Sequence, residues 1–356
     1  MQNIIKNRGS IYCTEDAWDS IKTLILDLAP SKVFILTDDN TTKFCLSYCK
    51  YQLELDDTPQ NIVIPSGETH KTINTCSKVW NELSIHGADR DSLLINLGGG
   101  VVTDLGGFVA STYRRGIEFI NVPTSLLAMV DASVGGKNGV DLGILKNQIG
   151  IIRNPKCVII DTAFLQTLPE NQITSGFAEM LKHGIIHSEA YWKKLKSFDI
   201  SNNLLTKELI WESIEIKNKV VTEDPQEKGL RKTLNFGHTL GHAIESYCLE
   251  QSDKPSLLHG EAIAVGIILA SYISKELFNF PEDKLDDITK TILSSFPKVN
   301  FTNQDIDSII KLLIYDKKNS NGEVYFVLLS DTGEHKINCK VSNSLIHKAF
   351  GYYRIF

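Results

Sequence analysis

Between Leu93 and Gly100 the chain reads LLINLGGG, an apolar run of strand length that enters three glycines and then the helix-like stretch VVTDLGGF. An apolar run without alternation suits a strand buried on both faces of a sheet. Glycines at its end let a helix N-terminus bring free N–H donors and partial positive charge close to an anion, which makes a seat for a pyrophosphate. Taken alone, a triple glycine after a strand reads equally as a tight turn without a ligand. The same texture recurs in SKVFILTDDN, GIEFINVPTS and KCVIID, and INTCSKVWNELSIHGADR reads as a helix closed by Gly87. Strand, helix and strand in series argue for a mostly parallel sheet with helices on its faces.

Near Thr167 the texture changes. ITSGFAEMLKHGII, ELIWESIEIKNKVV, GHTLGHAIESYCLE and HGEAIAVGIILASYISKELF carry long helical patterns, relieved by a hairpin around EVYFVLLSDTGEHKI with Asp331-Thr332-Gly333 as its turn. The expected organisation is an α/β domain over residues 1–165 and a mostly α-helical domain over 166–356. A chain of 356 residues suits two domains.

Charge narrows the partners. Lys and Arg total 37 against 43 Asp and Glu, and a net charge of −6 argues against nucleic acid or an acidic membrane. The amino terminus MQNIIKNRGS lacks the apolar core of a signal peptide, and the apolar stretch from Ala262 to Ile273 is too short to span a bilayer. Seven scattered cysteines without a CxxC pair fit reduced thiols in the cytoplasm, with Cys45 and Cys49 packed in a core.

Several groups carry chemistry. The glycine run is not the common dinucleotide fingerprint, because Thr103 stands where its third glycine belongs, and Gly135-Gly136-Lys137 is not a phosphate loop of the Walker kind. Asp38, at the end of a strand, suits either a ribose hydroxyl or a helix cap. Glu179, His238, His242 and His259 are acidic or imidazole groups in helical contexts. His238 and His242 are one helical turn apart and share a face, so spacing alone makes both of them metal ligands. Two histidines and a carboxylate with an open position form a catalytic zinc arrangement. His86, His183 and His187 lack such context and are assigned to surface or packing. Lys137, Lys146, Lys182, Lys217 and Arg231 sit beside Gly, Asn or small apolar residues, where a phosphate or carboxylate would be held. Lys193, Lys194 and Lys196 read as solvated charges.

Read together, GGGVVTDLGGFVASTYRRG, VPTSLLAMVDASVGGKNGVD, KNQIG, TLPENQITSGFAEMLKHG, LRKTLNFGHTLGHAIE and HGEAIAVG closely resemble the 3-dehydroquinate synthase family. The resemblance runs from about residue 60 to 266, with Asp316-Lys317-Lys318 as a late match. It implies a Rossmann-like nucleotide-binding domain followed by a helical metal- and substrate-binding domain. It implies that Glu179, His238 and His259 bind one divalent metal, zinc with cobalt as an alternative, and that His242 is a catalytic residue rather than a ligand. Asp38, Asn40, Glu68, Lys71, Gly98, Gly99, Gly100, Asp104, Thr124, Ser125, Thr167 and Leu168 would line an NAD site, which Lys137 and Lys146 join. Asp131, Lys137, Lys182 and Lys217 would act with His242 in catalysis. Lys146, Asn147, Arg231 and Asn235 would hold the substrate, with Arg115 reaching its phosphate across a homodimer interface. One of Lys317 and Lys318 would join the phosphate site.

The implied activity is a carbon–oxygen lyase of the shikimate pathway of aromatic amino-acid biosynthesis. It would convert 3-deoxy-D-arabino-heptulosonate 7-phosphate to 3-dehydroquinate and phosphate, with NAD reduced and restored within each turnover. The rivals are another sugar-phosphate cyclase and a metal-dependent polyol dehydrogenase. A simple alcohol substrate would need none of Lys146, Asn147 or Arg231.

Overall fold

The computed structural model describes residues 2–55, 59–143, 145–251, 254, 256–313 and 324–356. The chain divides into two compact units, Met1–Ile173 and Thr174–Phe356.

The first unit contains β1 (Ser10–Tyr12), β2 (Val33–Asp38), β3 (Gln60–Ile64), β4 (Leu93–Gly98), β5 (Glu118–Pro123), β6 (Lys137–Leu142), β7 (Leu145–Ile152) and β8 (Cys157–Ile159). Six of these form one sheet in the order β1-β8-β5-β4-β2-β3, and every pairing in it is parallel. β4 lies between β2 and β5, and all six of its residues are buried, as the unalternating run LLINLG requires. From β2 the chain first adds β3 on one side, then crosses to add β4, β5 and β8 on the other. The topological switch therefore falls between β2 and β4, and in open α/β sheets the crevice beyond the carboxyl ends at the switch is where ligands bind. Those carboxyl ends are Asp38 and Gly98.

The helices Ile73–Ile85 and Gly100–Thr112 join the sheet in one apolar cluster that includes Leu36, Leu94, Val102, Leu105, Val109 and Phe119. The second helix comes unusually close. A Cβ on Gly106 would overlap the Asn96 side chain of β4, and one on Gly107 would overlap Asn138 of β6. β6 and β7 form a separate antiparallel hairpin that the sequence reading did not anticipate.

The second unit is built on the helices Glu189–Leu195, Asn203–Glu223, His238–Glu250, His259–Phe278, Glu282–Ser295, Asn303–Leu312 and Asn343–Ile355, with most of Glu170–His187. β9 (Phe326–Asp331) and β10 (Glu334–Cys339) make the expected hairpin, with Gly333 at φ 79° in its two-residue turn. Cys45 and Cys49 are buried, and all seven cysteines are free thiols. Among the described residues no helix is long and apolar enough to cross a membrane. Asp316, Lys317 and Lys318 lie outside the described residues.

Candidate active site

Three helices of the second unit meet backbone to backbone because glycines remove the side chains between them. A Cβ on Gly260 would overlap the Ser175 carbonyl, and the Gly260 N–H donates to Ser175 Oγ at 3.0 Å. A Cβ on Gly266 would overlap the carbonyl of Gly237, itself at φ 77° immediately before the helix that begins at His238. The close approach carries Glu179, His238 and His259 into one cluster.

Glu179 is fully buried on a helix whose residues Ser175–Ile186 are all buried. Its Oε2 accepts a hydrogen bond from Lys182, one turn on and 1% exposed. Its Oε1 makes no hydrogen bond, yet it lies 3.3 Å from His238 Nε2 and 3.5 Å from His259 Nε2. The other nitrogens of both rings are committed. His238 Nδ1 donates to the Phe236 carbonyl at 3.1 Å, and His259 Nδ1 donates to Glu245 Oε2 at 2.9 Å. A carbonyl and a carboxylate only accept, so in each neutral imidazole Nδ1 carries the proton and Nε2 presents a lone pair.

With both rings neutral, two Nε2 lone pairs and a carboxylate oxygen converge, an arrangement that a cation shared among them, a proton or a metal ion, makes favourable. Ligand atoms about 2.0–2.1 Å from a tetrahedral zinc lie about 3.3 Å apart, so the observed separations fit a shared metal. Burial works against the His259 imidazolium, but the Glu245 and Glu179 carboxylates outweigh it and raise that pKa to about 10 without a metal. Burial likewise works against the Glu179 carboxylate, and Lys182 and His238 hold its pKa well below the usual range. His242 belongs to the same group. Its ring centroid is 5.2 Å from that of His238 and 5.6 Å from that of His259, and ligand atoms of the three histidines lie within 4.8 Å of one another. Both the set with Glu179 and the set of three imidazoles are thus spatially grouped.

Arg231 and Lys217 are buried in this unit. Arg231 Nη1 donates to the Pro225 carbonyl at 2.9 Å, and Asn235 Nδ2 donates to Glu227 Oε1 at 2.7 Å. His183 is fully buried with Nδ1 2.7 Å from Ser213 Oγ, and a ligand atom of its ring lies within 4.8 Å of one of Glu179. His86 is half-buried, and His187, Lys193, Lys194 and Lys196 are exposed.

In the first unit, Gly99 caps the helix Gly100–Thr112, and the Thr124 N–H donates to the Gly98 carbonyl at 3.0 Å. A Cβ on Gly99 would press on Ser125 Oγ at 3.2 Å, so Gly98, Gly99, Thr124 and Ser125 form one surface. Lys71 Nζ donates to Asp104 Oδ2 and Asn147 Oδ1, each at 2.7 Å. Lys146 Nζ donates to Glu68 Oε1 at 3.0 Å and Asp141 Oδ2 at 3.2 Å. Asp141 Oδ1 also accepts from the Asn147 N–H at 2.7 Å and so helps hold Asn147 at φ 52°. Asp38 takes the capping role, its Oδ1 accepting from the Thr41 N–H at 2.7 Å, with exposed Asn40 in the turn that it caps. Thr167 and Leu168 close the 3₁₀ turn Thr162–Thr167. Asp131 lies in a π-helical turn, Ala128–Ala132, and Lys137 opens β6. Arg114 and Arg115 are both exposed at positive φ, 49° and 73°, an uncommon backbone state for side chains of this size.

Residues 61–175 match the 3-dehydroquinate synthase N-terminal family model, and residues 176–319 match the C-terminal one. A 3-dehydroquinate synthase of Parabacteroides distasonis is 40% identical over 346 residues, which cover 97% of each chain. The chain belongs to the 3-dehydroquinate synthase family. Among solved structures, it is similar to a 2-deoxy-scyllo-inosose synthase complexed with carbaglucose-6-phosphate, NAD+ and Co2+, at a TM-score of 0.82 and 25% identity over 98% of both chains. A 2-epi-5-epi-valiolone synthase of Streptomyces hygroscopicus subsp. jinggangensis with NAD+ and Zn2+ bound shares the fold at a TM-score of 0.82 and 23% identity, over 100% of this chain and 99% of that one.

In this member of the 3-dehydroquinate synthase family, two residues were missed from sequence. Glu245 follows His238 and His242 at helical spacing, and HxxxHxxE on one face was the available signal. Asp141 stands among small residues in NGVD, where nothing marks it as the partner of Lys146.

Proposed function

We propose that this chain closes 3-deoxy-D-arabino-heptulosonate 7-phosphate to 3-dehydroquinate with release of phosphate. The observation that carries the reading is the convergence of Glu179 Oε1 with His238 and His259 Nε2 in a chain of this family. These three residues would hold the metal, with His242 beside them as a proton-transfer group. The surface formed by Gly98–Gly100, Thr124 and Ser125, with Asp38, Asn40, Glu68, Lys71, Asp104, Thr167 and Leu168, would take NAD. It is supported by its place at the carboxyl ends of β2 and β4, where the strand order reverses.

NAD, when bound, supplies a hydride acceptor restored within each turnover, and a divalent metal, zinc or cobalt, supplies a Lewis acid. The chain's own residues then have separable tasks. Lys182, held on the second oxygen of Glu179, would keep an ammonium where negative charge develops on the substrate, and Lys137 and Asp131 of the first unit would be further catalytic residues. Lys146, Asn147, Lys217, Arg231 and Asn235 orient the carboxylate and phosphate ends. Arg231 and Lys217 are both buried, and a buried cation of this kind suits recognition of a carboxylate or phosphate. The departing phosphate serves as the base in its own elimination. A homodimer in which Arg115 reaches the partner's site, and a cytoplasmic location, complete the reading.

The test is an assay of metal-loaded protein with the heptulosonate phosphate and a catalytic amount of NAD. Equal release of phosphate and dehydroquinate without lasting NADH is the expected result. Phosphate release from glucose 6-phosphate alone would make the chain another cyclase, and NADH accumulating with simple polyols would make it a dehydrogenase.

A further inference from the structure

We propose that Glu245 is a positioning residue for the metal site, fixing the His259 imidazole so that Nε2 is its ligand atom. The inference rests on reading Glu179, His238 and His259 as the ligands. Glu245 lies on the helix His238–Glu250, seven residues after His238 and three after His242, so all three share a face. It is buried among apolar neighbours on that helix, including Ile244 and Cys248, where a carboxylate is retained only if it is engaged.

Its partner is the Nδ1 of His259, 2.9 Å from Oε2 and carried by the first residue of the next helix. Because the carboxylate accepts, the Nδ1 proton is fixed, so the neutral ring has its lone pair on Nε2, the atom 3.5 Å from Glu179 Oε1. His238 reaches the same tautomer through the Phe236 carbonyl. The two imidazoles are thus oriented by different means, one by neutral backbone and one by a charged side chain. A carboxylate behind a ligating histidine both locks its ring and makes the far nitrogen a stronger donor. Gly260 brings the start of His259's helix against Ser175, so the ring has its place defined from both sides.

The experiment uses the full chain as wild type, Glu245→Gln, Glu245→Asp, His259→Ala and the double variant E245Q/H259A. Each is stripped by chelation, then titrated with Co2+ by visible absorption and with Zn2+ against a chromophoric chelator. Glu245→Gln should weaken metal binding by roughly 10- to 100-fold and alter the Co2+ spectrum, and Glu245→Asp should recover most of the affinity. In the His259→Ala background the same change should cost no more than about twofold, since the group it acts through is gone. Circular dichroism of the stripped proteins identifies any variant that fails to fold, and the milder Asp variant carries the comparison in that case. Wild-type affinity and spectrum in Glu245→Gln, with His259→Ala weakened, would overturn this proposal alone. Equal loss from Glu245→Gln with and without His259 would do the same. Failure of the wild type to bind either ion, or no loss in His259→Ala, would remove the metal-site reading and the proposal with it.

Discussion

Lys71 Nζ stands 2.7 Å from Asp104 Oδ2, with the lysine side chain 5% and the aspartate side chain 19% exposed. Burial opposes the ammonium, but Asp104, Glu68 and Asp141 outweigh it and hold its pKa above that of an ordinary lysine. Removing one partner of such a pair leaves the other charged in a poor solvent. Lys71→Met is therefore expected to lower stability to urea by about 2–3 kcal/mol. Adding Asp104→Asn should return much of that loss, because the stranded carboxylate disappears. Equal urea midpoints for wild type and Lys71→Met would refute a structural role for the pair.

The Glu179 and Lys182 pair is buried more completely, 0% and 1% exposed. Glu179→Gln should abolish tight metal binding and also strand the Lys182 ammonium, so destabilisation by roughly 3 kcal/mol is expected in metal-free protein. Lys182→Met added to Glu179→Gln should restore stability without restoring the metal site. Unfolding of stripped protein and metal titration, run in parallel, separate the two effects. Recovery of metal binding in the double variant would show that Glu179 is not a ligand.

These buried pairs mark the limit of what the sequence carried. β2, β4 and β5 were legible because VFILTD, LLINLG and EFINVP are strand-length apolar runs, and the long helices announced themselves by length. The β6–β7 hairpin was not, since KNGVDL is short and polar and β7 leaves most of its residues partly or fully exposed. At the metal cluster, Glu179, His238, His242 and His259 could be singled out by residue type and spacing. Their convergence depends on contacts between residues far apart in sequence, such as Gly260 against Ser175. Asp38 was open between a cap and a ribose contact, and only backbone geometry shows that it caps. The engagement of Lys71 and Lys146 by carboxylates is likewise invisible one residue at a time.

Gly260→Ala tests whether backbone contact builds the cluster. The new methyl would overlap the Ser175 carbonyl, an atom that cannot rotate away, so the helix starting at His259 must shift from the helix carrying Glu179. Overpacking of this kind typically costs about 1–3 kcal/mol. The expected result is a lower unfolding midpoint together with weaker metal binding, whereas Gly351→Ala, with nothing near its added Cβ, should leave metal binding unchanged. Normal metal affinity in Gly260→Ala would mean that helix spacing does not set ligand geometry.

Asp305 provides the pH dependence. Burial alone would raise its pKa, but hydrogen bonds from Lys254, Tyr247 and Thr302 together hold it well below the usual carboxylate value. The Lys254 Nζ and Thr302 N–H donors each stand 2.6 Å from Oδ2. A carboxyl with a depressed folded-state pKa contributes stability above its unfolded value, about 3.9, and that contribution is lost as pH falls further through the folded-state value. The wild type should therefore lose stability as pH drops below about 4, and Asp305→Asn should be less stable at pH 7 with a shallower acid slope. Urea unfolding at a series of pH values measures both. Parallel curves for the two proteins, offset by a constant amount, would assign the acid loss to other carboxylates.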